Sequence, residues 1–89
     1  MIHRVTIKGM TFSPIELDVS RGDWVIWINE DIVPHTVATL DGELQSGPIE
    51  KGEQWKYQVT KALAAEAPYF CTFHPMMKAK LSVHPGPVQ

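Results

Sequence analysis

The fold that this sequence predicts is an all-β sandwich of seven to eight short strands joined by Greek-key connections. Three observations predict it. Apolar residues recur with period two in several short runs, turn-forming residues separate those runs, and the only helix-like stretch is too short to stand as a helix.

In chain order, Val5 and Ile7 alternate with Arg4, Thr6 and Lys8, and Ile15, Leu17 and Val19 alternate with Glu16, Asp18 and Ser20. Each run reads as a strand with one dry face and one wet face. Arg21-Gly22-Asp23 is a turn feeding Trp24-Val25-Ile26-Trp27-Ile28, which is apolar at both parities, as a central strand covered on both sides or close to a partner surface would be. His35-Thr36-Val37-Ala38-Thr39 reads as a further strand, opened by Pro34, with His35 and Val37 on the inward parity. Trp55, Tyr57 and Val59 alternate with Gln54, Lys56 and Gln58. Lys61 to Ala67, rich in Ala and Leu, predicts at most a helical connection that Pro68 stops. Met77, Ala79, Leu81 and Val83 then alternate with Lys78, Lys80, Ser82 and His84 in a last half-buried strand, whose lysines form a solvated face. Trp24, Trp27 and Trp55 are expected in the core.

The 89 residues suit one domain, 1–89, and no linker divides them. With 44% hydrophobic and 20% charged residues the composition is globular. The formal net charge of −2 gives no basic footprint for nucleic acid or anionic lipid. No apolar run approaches the roughly 20 residues that span a bilayer, and Met1 to Met10 alternates where a leader would have an apolar core. A soluble chain without a membrane span is therefore expected. A domain this small is often stapled by a disulfide or a metal, and Cys71 is the single cysteine, so no internal disulfide can form.

Soft metal donors crowd into Tyr69-Phe70-Cys71-Thr72-Phe73-His74-Pro75-Met76-Met77. A tight turn leaving a strand at Cys71 can aim that thiol and the His74 imidazole at one point, and Met77, three residues further on, can approach from a third direction. Two sulfurs with imidazole suit copper, and a His₂Cys trigonal set with a weak axial Met is the blue-copper arrangement. The second histidine is best taken as His35, which opens a strand-like run after Pro34 on the inward parity, and His3 and His84, near the chain ends without neighbouring donors, read as incidental. A ligand so far upstream would let the metal close a long loop and staple the fold. Met76 competes with Met77 for the axial place, and the six-residue offset from Cys71 favours Met77.

The Cys-Thr-x-His-Pro-x-Met pattern from Cys71 to Met77, with Tyr69 before it, resembles the ligand loop of the cupredoxins, the amicyanins especially and the plastocyanins less closely. Trp27-Ile28-Asn29 followed by Pro34-His35-Thr36-Val37 is also similar to the amicyanins. The resemblance implies a type 1 blue copper protein with one ion cycling between Cu(II) and Cu(I), held by His35, Cys71, His74 and Met77, and Asn29 hydrogen-bonding the two ligand-bearing loops together. It also implies that Pro34, Phe73, Pro75 and Met76 gather around His74 as an apolar rim where redox donor and acceptor proteins dock, and that a monomer works in the bacterial periplasm after losing its leader. Ala79 stands where amicyanin-like proteins usually have Gly, and Phe73 where Pro is common.

Single-electron transfer, without enzymatic chemistry, is the function these residues favour. For a Cys71 nucleophile with His35 or His74 as its base, no acidic residue stands at a recognisable orienting position in the sequence. Phe70 and Thr72 replace the flanking histidines of a multicopper oxidase, a dinuclear centre would need a second cysteine, and structural zinc usually recruits more thiolates. The rival reading is a module that stores, delivers or senses copper, or a cupredoxin domain of a larger redox protein.

Overall fold

A computed structural model describes residues 1–86. Seven strands form two sheets: β1 (Ile2–Lys8), β2 (Thr11–Ser13), β3 (Glu16–Ser20), β4 (Trp24–Asn29), β5 (Gln54–Gln58), β6 (Glu66–Cys71) and β7 (His74–His84). One sheet has the order β2-β1-β4-β5 and the other β3-β7-β6. β1 runs parallel to β4 and β3 parallel to β7, while the remaining neighbours are antiparallel. The all-β sandwich expected from alternation is the fold observed.

Period two places the core. Val5, Ile7, Val25 and Trp27 face inward from the first sheet, and Ala67, Tyr69, Cys71, Met77, Ala79, Leu81 and Val83 from the second. The long connection between β4 and β5 contributes Val37, Leu44 and Ile49, and it carries no strand of its own.

Four expectations need correction. His35 to Thr39 is not a strand: all five residues are buried, and its β-pairing is limited to isolated bridges of His35 to Ile49 and of Ala38 to Gln45 and Phe70. It is enclosed on both sides, so no wet face exists to alternate with. Lys61 to Ala67 forms a turn and then enters β6, with Pro68 inside the strand. Phe70 exchanges backbone hydrogen bonds with Ala38 on the outer edge of β6. Pro68, two residues earlier, shares that edge, so its missing N–H costs no ladder bond. Trp24 is 42% exposed and lies on the outer face of β4, opposite the core-facing Val25 and Trp27, because it shares parity with Ile26 and Ile28. Ile15 precedes β3 and is 62% exposed.

At the end of the sandwich where β4 begins, Asp23 closes the turn before that strand. Its carboxylate accepts the Ser20 N–H at 2.9 Å and lies 2.8 Å from His3 Nε2. The His3 hydrogen bond, then that of Ser20, outweighs burial and holds the carboxyl down at about 2. A depressed carboxylate contributes stability that is complete above its unfolded value near 4 and lost as pH falls toward 2. Asp23→Asn is therefore expected to cost roughly 1–2 kcal/mol at neutral pH and to flatten the acid limb between about pH 4 and 2. Urea midpoints measured across that range check it; parallel acid limbs for the two proteins would refute it.

Candidate metal centre

β6 and β7 are joined by Thr72 and Phe73 alone, and Cys71 pairs with His74 across that hairpin. A register shift at Phe70/Cys71 turns the end of β6. The two-residue loop thus brings the thiol and the imidazole together as their spacing predicts. His35 arrives from the β4–β5 connection, fixed by a reciprocal pair of backbone hydrogen bonds with Ile49 at 3.1 and 2.7 Å.

Cys71 Sγ lies 3.7 Å from His35 Nδ1 and 3.7 Å from His74 Nδ1, and the three donor atoms all fall within 4.8 Å of one another. Metal–nitrogen and metal–sulfur bonds of roughly 2.0–2.3 Å at trigonal to tetrahedral angles separate such donors by about 3.3–3.7 Å, so the set fits a single ion. His35 and Cys71 are fully buried, whereas His74 is half-buried and forms the solvent edge. Met77 is 6% exposed and points inward from β7; Met76 is 90% exposed and points away. His3 and His84 stay outside the cluster, beside Asp23 and Asp18 respectively.

Two residues that the sequence reading missed organise the donors. Asp31 Oδ2 lies 2.8 Å from His35 Nε2 and also accepts the Met10 N–H at 3.1 Å, while Oδ1 accepts the Gly9 N–H at 2.8 Å. A carboxylate on Nε2 keeps the proton there and leaves the Nδ1 lone pair free for a metal. Desolvation pushes the Asp31 carboxyl up, but the Met10 and Gly9 N–H groups and His35 together outweigh it, and the net direction is down. Gly9 and Met10, both with φ near 60°, form the β1–β2 hairpin turn, and Asp31 caps their N–H groups. Thr36 is the other organiser. Its N–H points at Cys71 Sγ at 3.4 Å, and its hydroxyl accepts the Thr72 N–H at 2.7 Å.

Asn29 ties a different pair of segments from the one expected. Its amide donates to the carbonyls of Val33 at 2.9 Å and Ile49 at 2.8 Å, and its Oδ1 accepts the Asp31 N–H at 2.8 Å. These bonds shape the loop that carries His35. The direct ties between the His35 segment and the Cys71 hairpin come from Thr36 and from the backbone pair of Ala38 with Phe70.

Comparison with known proteins agrees with this geometry. The family described as "Copper binding proteins, plastocyanin/azurin family" matches residues 1–84. The chain belongs to that family. Among its relatives, it is similar to amicyanin of Paracoccus denitrificans, 40% identical over 83 residues, covering 89% of this chain and 63% of the relative. The chain thus spans less than two thirds of that protein. A solved structure of an oxidized amicyanin variant superposes with a TM-score of 0.84 at 32% identity, covering 92% of this chain and 81% of that one. The copper-containing nitrite reductase of Thermus scotoductus SA-01 superposes with a TM-score of 0.85 at 25% identity, over 99% of this chain and 23% of the reductase. This member of the family carries the cupredoxin sandwich, and no helix among its described residues is long and apolar enough to cross a membrane.

Proposed function

We propose that this chain is a type 1 copper electron carrier, in which His35, Cys71 and His74 hold one copper ion in a trigonal set and Met77 approaches axially. The observation that carries the reading is the convergence of two imidazole Nδ1 atoms on a buried cysteine sulfur in a member of a copper-binding family. Bound copper would supply a reversible Cu(II)/Cu(I) couple. The protein's part is to hold donors that change little between the two states: Asp31 fixes the His35 ring, Thr36 directs its N–H at the Cys71 sulfur, and the sandwich keeps water from both. With three strong donors and a thioether, no position stays open for a substrate, so a carrier fits better than an enzyme. The burial of His35 and Cys71 also argues against a carrier that must give its copper away.

Purified chain supplied with Cu(II) should take up one ion, show an intense thiolate-to-copper absorption and a type 1 spin-resonance signal, and bleach reversibly on reduction. Uptake without that absorption would refute the assignment. Met77→Leu is expected to keep copper and the blue band while raising the reduction potential, because a weak axial sulfur stabilises the oxidised state. Cyclic voltammetry reads it; an unchanged potential would take the axial role from Met77.

Electrons would enter and leave at the solvent edge of His74. Phe73 is 50% and Met76 90% exposed, with Pro75 also exposed and Pro34 half-buried. The ligand-bearing connection adds Ile32 and Leu40, 82% and 94% exposed. Leu40, Pro75 and Met76 line one surface cavity, and apolar exposure of this kind suits brief docking of redox donor and acceptor proteins on a monomer. The bacterial periplasm suits a copper–thiolate carrier, and 1–89 reads as a single cupredoxin domain. A second reading, a copper domain within a larger redox chain, draws on the fit to about a quarter of the nitrite reductase.

A further inference from the structure

Aromatic rings follow one another through the core from the Cys71 strand to the flank of the four-stranded sheet. Tyr69 precedes Cys71 by two residues on β6, and both side chains are buried in the same core cluster. The Trp27 ring meets Tyr69 edge-on at 5.6 Å, and Trp55 meets Trp27 at 5.3 Å. Tyr57 stacks on Trp55 at 5.9 Å. The last two rings are half-buried and reach the surface, where the Tyr57 hydroxyl donates to Glu43 Oε2 at 2.7 Å.

Packing accounts for such rings in part, since edge and offset pairs are favourable in themselves. One further feature suits charge movement. Trp27 Nε1 is buried without a well-formed hydrogen bond, and the group its N–H faces is the Tyr69 hydroxyl. A neutral phenol is a weak base, so an indole radical cation formed there could be refilled unchanged.

We propose that Tyr69, Trp27, Trp55 and Tyr57 form a second electron path, separate from the His74 edge, by which the reduced centre quenches strong one-electron oxidants arriving at the Trp55–Tyr57 flank. The inference rests on the copper reading above. The oxidant takes one electron from Trp55, leaving its radical cation. Trp27 refills Trp55, and Trp27 is refilled through Tyr69 by the electron that the Cu(I) centre gives up on becoming Cu(II). One electron reaches the oxidant, no bond breaks and no proton moves. Indole is much harder to oxidise than a thiolate-bound Cu(I), so the path carries electrons outward only, and ordinary Cu(II) cannot empty it.

Flash–quench oxidation tests the path. Lys61→Cys, in the exposed turn after Thr60, takes a thiol-reactive ruthenium polypyridyl label while Cys71 stays buried in the copper-loaded chain. After a flash with an external quencher, the reduced protein should develop the blue band, and Trp55→Phe and Trp27→Phe should each slow its rise at least tenfold without moving the band or the potential. In the copper-free chain the same flash should leave an indole radical absorption that outlives the one in the copper-loaded chain at least tenfold. If Trp27→Phe does not fold, the half-buried Trp55→Phe carries the test alone. Rates within twofold of the parent in the folded variants would overturn the path and leave the rings as packing. A chain that never develops a thiolate–copper band would instead overturn the copper reading, whatever the radical lifetimes.

Discussion

Cys71→Ala is expected to abolish the thiolate-to-copper absorption completely. Cys71 Sγ is the atom on which both Nδ1 donors converge at 3.7 Å, and it receives the Thr36 N–H. With it gone, two imidazoles and a thioether remain, a set without charge and without the soft thiolate that selects copper. Loss of a residue that only supports a ligand lowers metal affinity about 10–100-fold, and loss of the sole anionic ligand should exceed that. The copper-free fold should suffer little. Removing one buried sulfur leaves a small void, and a cost of about 1 kcal/mol is the expectation. Thermal unfolding should therefore give nearly equal midpoints for the two copper-free chains, and a large rise on adding copper only in the parent. Absorption spectra and copper titration check the rest, and a retained band would refute the role of Cys71.

How far the sequence carried depends on whether each contact is local. β1, β4, β5 and β7 lie where alternation or the apolar run put them, because a strand with one wet face writes its period directly into the residue types. His35 to Thr39 resisted that reading: bridges to Ile49 and Phe70 enclose it on both sides, and neither neighbour is visible from the segment itself. Pro68 misled for a similar reason, since its tolerance depends on β6 being an edge strand.

The donors divide in the same way. Cys71 and His74 share one hairpin, so their spacing was enough to bring them together, and His35 was reached from its place after Pro34 and its inward parity in a run that is buried but is not a strand. Asp31 and Thr36 were missed because their partners are distant. Asp31 caps a turn 21 and 22 residues upstream, and Thr36 bonds Thr72 36 residues downstream. Asp31 did leave a trace, standing four residues before His35 in the loop that follows Asn29. An acidic residue that close to a candidate histidine ligand is a signal for the partner of its other nitrogen.

Asp31→Ala and Asp31→Asn should separate what that carboxylate does by geometry from what it does by charge. Alanine removes the acceptor of His35 Nε2 and of the Gly9 and Met10 N–H groups at once. The His35 donor is buried, so it would be left unpaired at a cost of about 1–3 kcal/mol, while the exposed hairpin groups can turn to water. The His35 ring would then be free to rotate or to change tautomer, and copper affinity should drop about 10–100-fold. Asparagine behaves differently. With its carbonyl oxygen at the Oδ2 position it can still accept from His35 and Met10, leaving only the exposed Gly9 N–H opposed by the amide. Affinity should change little, yet the reduction potential should rise, because a negative charge near the ion favours Cu(II) over Cu(I) and asparagine removes it. Copper competition titrations and voltammetry on the two variants read both effects. Affinity within twofold of the parent for Asp31→Ala would mean that packing alone orients His35, and an unmoved potential for Asp31→Asn would mean that the carboxylate acts through its hydrogen bond and not through its charge.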